Sequence, residues 1–327
     1  MDGNSAIVER ATYSQNWPVY NKSQQTEKTR LMELLCDLVQ EIDEPKQAMG
    51  RPRIALRDLI FASALKVYTQ FSLRRFMSDL AFAKEKGFVG SAPCFASVGH
   101  FMEREDMTPI LKKLIGISSM PLKEIETKFA IDSSGFRTSK FNEYLRARHG
   151  LKREHKWVKA HICCGVKTNV ITAVEITDGF GADVTQFIPL SQQTNENGFE
   201  IKEMTGDKAY SSRANLGCIE ELGGTAYIPF KSNARPRAGT VRLWKKMYHY
   251  FMLNREEFMQ HYHLRSNVES AFSMIKTKFS EMLKSKSKAA QTNELLLKIL
   301  CHNLCILVEE AVRVGFMPNF SPTLLPV

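Results

Sequence analysis

The chain is short of the features that would assign it to several common classes. Its seven cysteines, Cys36, Cys94, Cys163, Cys164, Cys218, Cys301 and Cys305, are odd in number and include no C-x-x-C pair. Neither a disulfide framework nor a zinc ribbon is therefore expected. Cys301, His302 and Cys305 lie close together, but on an apolar helical run such residues far more often pack in a core than hold a metal. Long apolar runs are also missing. The strongest, Leu295–Val308, is interrupted by Lys298, His302 and Asn303, and is too short and too polar to span a membrane. The opening Met-Asp-Gly-Asn-Ser has neither the basic nor the apolar segment of a signal peptide. A reducing cytoplasm is the expected location. There is no internal repeat and no low-complexity segment. Negative charge is in deficit, with 35 Asp and Glu against 45 Lys and Arg and a net charge of +10. That excess favours a polyanionic partner, nucleic acid first, while saying nothing about fold.

With 327 residues and 43% hydrophobic content, the chain can bury a substantial core and is long enough for two domains. Residues 1–25 are polar and irregular and read as an arm. A helix is expected from Thr26, carrying Leu31, Leu34, Leu35, Leu38 and Ile42 and ending near Glu44-Pro45. The link that follows contains Gly50-Arg51-Pro52-Arg53, similar to the minor-groove-reading core of an AT-hook and equally readable as a basic linker. Further helices are expected through Leu56–Val67, from Ser72-Leu73-Arg74-Arg75 to about Ala83, over Phe95–Met102, and over Thr108–Ile115. Residues 26–120 thus form a helical region for DNA recognition or assembly, with Arg51, Arg53, Arg74 and Arg75 as candidate DNA contacts. A scaffold or dimerisation bundle is the plainer alternative.

The pattern changes at Ile125. Glu126–Asp132 alternates and then becomes apolar, reading as a strand that ends in Asp132 before a Ser-Ser-Gly turn. Two more strands, Lys156–Val166 and Asn169–Thr177, would form a hairpin. A helix over Gly181–Ser191, a strand over Ile201–Thr205, a helix over Arg213–Leu222 and a strand over Thr225–Phe230 follow. Asp207, in Gly206-Asp207-Lys208-Ala209-Tyr210, would also stand where a strand gives way to a turn, the place where an open α/β sheet presents side chains to a ligand. Either aspartate alone is an ordinary turn residue.

The most unusual stretch is Tyr262–Lys276. Read as one helix, it sets Tyr262, Arg265, Glu269 and Lys276 within an arc of about 60°, beside a buried stripe of Val268, Phe272, Ile275 and Phe279. A carboxylate between a guanidinium, an ammonium and a phenol suits a metal ion in contact with a phosphate backbone. Charged residues on a helix are also commonly just solvated, and Ser266-x-x-Glu269 reads equally as a capping box. The spacing Tyr-x2-Arg-x3-Glu-x6-Lys resembles the signature of DDE transposases of bacterial and archaeal insertion sequences. Asp132-Ser-Ser-Gly and Gly-Asp207-Lys-Ala-Tyr resemble the motifs around that family's two catalytic aspartates, in the right order.

The resemblance, which runs from about Ile125 to Phe279, implies a ribonuclease-H-like domain over residues 121–327: a mixed five-stranded sheet flanked by helices. It implies that Asp132, Asp207 and Glu269 hold two Mg²⁺ or Mn²⁺ ions. Tyr262, Arg265, Lys276 and Lys208 would contact phosphates. The partner would be double-stranded DNA, both transposon terminal repeats and target, bound by a homodimer near the nucleoid. Relatives with a large β-strand insertion carry it ahead of the Glu helix, whereas here Phe230 and Tyr262 leave room only for a loop and a helix. A nuclease that cleaves without joining, and a domesticated DNA-binding protein without catalysis, are the alternatives. The presence of all three carboxylates argues against the second.

Overall fold

The computed structural model describes residues 16–47, 49–50, 52–138, 148, 157–235 and 241–320. Arg51 lies outside them, as do Arg146, Lys152, Arg153, Lys156 and Arg237, further basic residues that could follow a phosphate backbone. The first helix, α1 (Trp17–Val39), begins well before the expected Thr26, because the Asn16 side chain accepts from Val19 N and Pro18 fits the first turn. It ends before Glu44-Pro45. Then come α2 (Leu56–Thr69), α3 (Met77–Glu85), α4 (Phe95–Met102) and α5 (Met107–Ser119). Ser72–Arg75, expected to open a helix, is instead the approach to α3 and mostly a turn.

The sheet comprises β1 (Lys128–Arg137), β2 (Trp157–Gly165), β3 (Ile171–Asp178), β4 (Glu203–Gly206) and β5 (Thr225–Tyr227), in the order β3-β2-β1-β4-β5. β1 to β3 form an antiparallel meander, while β4 and β5 run parallel to β1. The parallel strands are reached through α6 (Phe187–Glu196) and α7 (Arg213–Glu221), as parallel pairing requires crossovers of this length. This is the mixed five-stranded sheet flanked by helices that the sequence led us to expect of a ribonuclease-H-like fold. The hairpin between β2 and β3 turns through Asn169 in the left-handed region at φ 63°. It is clamped by the buried Glu126 carboxylate, which accepts from Lys167 N, Thr168 N and Thr168 Oγ1 at 3.2, 2.6 and 2.8 Å.

After β5 the chain forms α8 (Arg242–Leu253) and α9 (Arg255–Tyr262), two helices where one was expected. Then α10 (Ser266–Phe279) crosses one face of the sheet and α11 (Lys288–Val314) follows. Alternation along the strands builds two cores. Phe129, Ile131 and Cys163 face α6 to α9, whereas Ala130, Phe136 and Ile162 face α10 and α11. The second core is continuous with the amino-terminal helices, through Leu31, Leu35, Phe61 and Leu111. The division expected at residue 120 therefore does not separate two cores. Cys301, His302 and Cys305 are buried in α11 as core residues.

Asn303 joins these layers. Its side chain accepts from Ile171 N at 2.9 Å and donates to Ile171 O at 2.7 Å and Ser118 Oγ at 3.0 Å, all fully buried. Asn303→Ala leaves the buried Ile171 N and O at the start of the edge strand β3 unpaired, at a cost of about 2–4 kcal/mol. A clear fall in the urea midpoint at unchanged slope is the expected result, and an unchanged midpoint would refute the role.

Candidate active site

Residues of β1 with even numbers face α10. Asp132, Ser134 and Phe136 stand in a row along the strand, and each meets a residue of α10 or of the turn before it. Arg265 Nη1 donates to Asp132 Oδ2 at 2.7 Å, Lys276 Nζ donates to Ser134 Oγ at 2.7 Å, and Phe272 packs on Phe136 with ring centroids 6.4 Å apart. Lys276 Nζ also lies 5.2 Å from the centre of the Phe136 ring. The apolar contact thus anchors the helix on the strand, and the two cations beside it reach the polar strand atoms.

Asp132 is not at the end of its strand, which corrects the sequence reading. The Ser-Ser-Gly run that reads as a turn continues as strand because β2 pairs with it antiparallel as far as Arg137↔Trp157. What ends there is the parallel pairing. Ile131 is level with Gly206, the last residue of β4, so Asp132 and Asp207 are the next residues on adjacent parallel strands. Asp207 then leaves the sheet and caps a short 3-10 turn, accepting from Ala209 N at 2.7 Å. Lys208 in that turn is exposed.

Glu269 completes the group from the side. Arg265 Nη2 donates to Glu269 Oε1 while Nη1 holds Asp132, so one guanidinium bridges two carboxylates. Asp132 and Arg265 are about one-fifth exposed, whereas Glu269 is 57% exposed and can move. Burial, reinforced by the charges of Asp207 and Glu269, raises the Asp132 pKa above the ordinary carboxylate value against the opposing pull of Ser133 N and Arg265. Negative charge is thus crowded here, and Arg265 is the cation that offsets it. Tyr262 lies beside Arg265, its ring centre 6.0 Å from the guanidinium carbon. It ends α9, and a 3-10 turn over His263–Arg265 separates it from α10, so Tyr262–Lys276 is not one continuous helix. Tyr262, Arg265 and Glu269 stay in contact across the turn, while Lys276 meets the strand farther along, at Ser134. α9 is tied to the sheet next to them by His261, which bonds Glu203 at 2.8 Å and stacks on Tyr227 at 4.2 Å.

Three oxygen-donor side chains suit Mg²⁺ or Mn²⁺. Their crowding, and a guanidinium already bridging two of them, fit a place where a cation belongs. Among the described residues no group of three or more His, Cys, Asp or Glu is yet arranged as a metal site, so Arg265 would have to release a carboxylate for one to form. Residues the sequence did not single out sit on the other face of β1. Ser133 Oγ donates to Asp183 Oδ1 at 2.7 Å, and the same oxygen accepts from Lys159 Nζ at 2.6 Å. The buried His161 ring approaches it to 3.3 Å. These contacts hold the residue next to Asp132. Period-two alternation places Ser134 on the face of Asp132 and Ser133 on the opposite one, but nothing local points to Asp183.

Among the described residues, Arg53, Arg74 and Arg75 make no ion pair with these carboxylates. Arg53 is exposed after α1. Arg74 packs over Phe95 at 4.7 Å and Arg75 over Phe71 at 5.9 Å. Trp244 meets Phe230 edge-on at 4.8 Å and packs with the α8 core.

A family model described as a transposase DDE domain matches residues 124–304. No curated protein matches the chain. Among solved structures, the cryo-EM structure of a piggyBac transposase synaptic complex with hairpin DNA is similar at 12% identity and a TM-score of 0.42, covering 88% of this chain and 73% of that one. A likeness of that degree carries no argument about fold or activity.

Proposed function

Because the chain belongs to the transposase DDE domain family, we propose that it cleaves DNA strands and joins them to a target, at the ends of an insertion sequence of the bacterial and archaeal type. The observation that carries the reading is the guanidinium of Arg265 bridging Asp132 and Glu269, with Asp207 on the neighbouring strand end. Asp132, Asp207 and Glu269 would hold Mg²⁺ or Mn²⁺. Two such ions, when bound, activate a water or 3′-hydroxyl and stabilise the leaving oxygen of a phosphodiester.

The chain's own side chains do the remaining work. Arg265 neutralises Asp132 and Glu269 in the free protein and would be free to meet phosphate if a metal took its place. Lys276, held toward the site by Ser134 and the Phe136 ring, grips a phosphate next to the reacting bond. Tyr262 flanks the same backbone, and the exposed Lys208 adds a further phosphate contact beside Asp207. Ser133, fixed by Asp183, keeps the strand beside Asp132 from shifting as charge enters. Duplex DNA, as terminal inverted repeat and as target, is the partner. The enzyme acts as a homodimer assembled on it, at the nucleoid.

The test is incubation of the full chain with Mg²⁺, a duplex built from the inverted repeats that flank its coding region, and a target plasmid. Cleavage at the repeat followed by joining supports the reading. Cleavage without joining makes the protein a nuclease, and binding without either makes it a non-catalytic DNA-binding protein.

A further inference from the structure

Beyond the carboxylates, one pocket lies between the amino-terminal helices and the segment that follows α10. It encloses about 350 Å³ and is lined by Lys66, Phe71, Gly99, Lys284 and Lys286, among others. Its outer wall is apolar and partly open, with the Phe71 ring 46% exposed under the Arg75 guanidinium. The opposite wall is the segment after α10, fixed to the sheet by Arg137 N donating to Glu281 O at 3.0 Å and Leu283 N donating to Arg137 O at 2.7 Å. That segment therefore continues directly from the helix bearing Glu269 and Lys276.

Lys66 is the anomaly. It is only 7% exposed, yet no hydrogen bond or ion pair closes on its ammonium among the described residues. Its neighbours are otherwise engaged. Lys298 donates to Ser280 O and Met282 O, both at 2.9 Å, and lies 3.7 Å from Glu294. Lys284 donates to Gln70 O at 2.6 Å. Glu294 spends its oxygens on Lys284 N and Ser285 N, at 2.8–3.0 Å. Two ammonium groups, those of Lys66 and Lys298, thus share one carboxylate, and the first turn of the 27-residue α11 adds positive potential at the same wall. An unpaired buried cation is costly unless something anionic meets it. Burial lowers the Lys66 pKa, and the nearby Lys284 charge adds to this against the pull of Glu294.

We propose that this pocket seats one backbone phosphate of bound duplex DNA, with Lys66 at its floor and Lys286 and Arg75 at its rim. The proposal rests on the transposase reading and deepens it. A strand engaged by Lys276 would run along the segment after α10 and be gripped a second time where the helical region meets the sheet. That gives the amino-terminal helices a defined DNA contact, at Arg75, while sharing a core with the catalytic sheet.

The full chain is titrated with a fluorescein-labelled duplex at several salt concentrations, in Ca²⁺ so that no strand is cut. Lys66→Met keeps the length of the buried stem and removes the charge, and the exposed Lys286→Ala cannot disturb the core. The double variant is expected to reduce the slope of log affinity against log salt by about 0.9, the share of one phosphate contact, and each single variant by a measurable part of that. Lys66→Met should weaken binding about tenfold, as loss of a charge-assisted contact does. In a second arm, the melting temperature of the wild type is compared in inorganic phosphate and in chloride at equal ionic strength. Unchanged slopes in Lys286→Ala and in folded Lys66→Met overturn the proposal. So does phosphate stabilisation that Lys66→Met abolishes while both DNA slopes stay unchanged, since the pocket would then serve free phosphate. If Lys66→Met fails to fold, the Lys286→Ala slope decides. Wild-type chain that cleaves its repeat while the variants keep their slopes sinks the pocket alone. Wild-type chain that binds no duplex sinks both.

Discussion

Asp207→Asn and Glu269→Gln are each expected to lower strand cleavage roughly a thousandfold or more while leaving duplex affinity near that of the wild type. Both substitutions keep the size of the side chain and remove the charge that would hold a cation. Neither residue sits where its loss should unfold the chain. Glu269 is 57% exposed at the start of α10, and Asp207 caps only a short turn, a contact that an Asn oxygen can also make. Binding should persist because it draws on phosphate contacts spread over the surface and not on the carboxylates. The measurement is single-turnover cleavage at saturating DNA in Mg²⁺, with circular dichroism to confirm folding. Near-normal cleavage by either variant would remove its catalytic role and leave α10 as a phosphate-binding face.

The second large effect belongs to Arg265. In the free protein it offsets two carboxylates, one of them mostly buried. Arg265→Ala should therefore destabilise the metal-free chain by about 1–2 kcal/mol, the scale of a charged hydrogen bond discounted for its partial exposure. Asp132, whose pKa is already raised, should then take up its proton at still higher pH. The telling result is the response to metal. Mg²⁺ should raise the melting temperature of Arg265→Ala more than that of the wild type, because no guanidinium has to be displaced. Cleavage should fall less than in the carboxylate variants, since the role proposed for Arg265 is to position phosphate and not to hold a metal. An equal Mg²⁺ response in variant and wild type would show that Arg265 and the metal do not compete for the same oxygens.

Much of this arrangement was legible because it is local. The aspartates follow alternating or apolar runs that could only be strands, and the four-residue signature lies on one surface whether its backbone is one helix or a helix, a 3-10 turn and a second helix. What escaped was decided by distant partners. Ser133-Ser134-Gly135 has the composition of a turn, and only the opposing strand from Trp157 makes it extended. Asp183 gains its part from Lys159 and Ser133, far away in sequence. The pocket at Lys66 is assembled from α2, the approach to α3, α4 and the residues ahead of α11, a conjunction no spacing announces. Residues 26–120 looked separable because they are helical throughout, but Leu31, Phe61 and Leu111 share a core with Ala130 and Ile162 of the sheet.

The claim that Asp132, Asp207 and Glu269 serve one metal-dependent phosphodiester site is tested most directly by exchanging a ligand and the metal together. Asp132→Cys replaces an oxygen donor by sulfur, which Mg²⁺ binds poorly and the more thiophilic Mn²⁺ accepts better. Cleavage of the terminal repeat by this variant should be lost in Mg²⁺ and partly recovered in Mn²⁺, with the wild type active in both. Full activity of Asp132→Cys in Mg²⁺ would contradict the account, as would folded, DNA-binding variant that stays equally inactive in both metals.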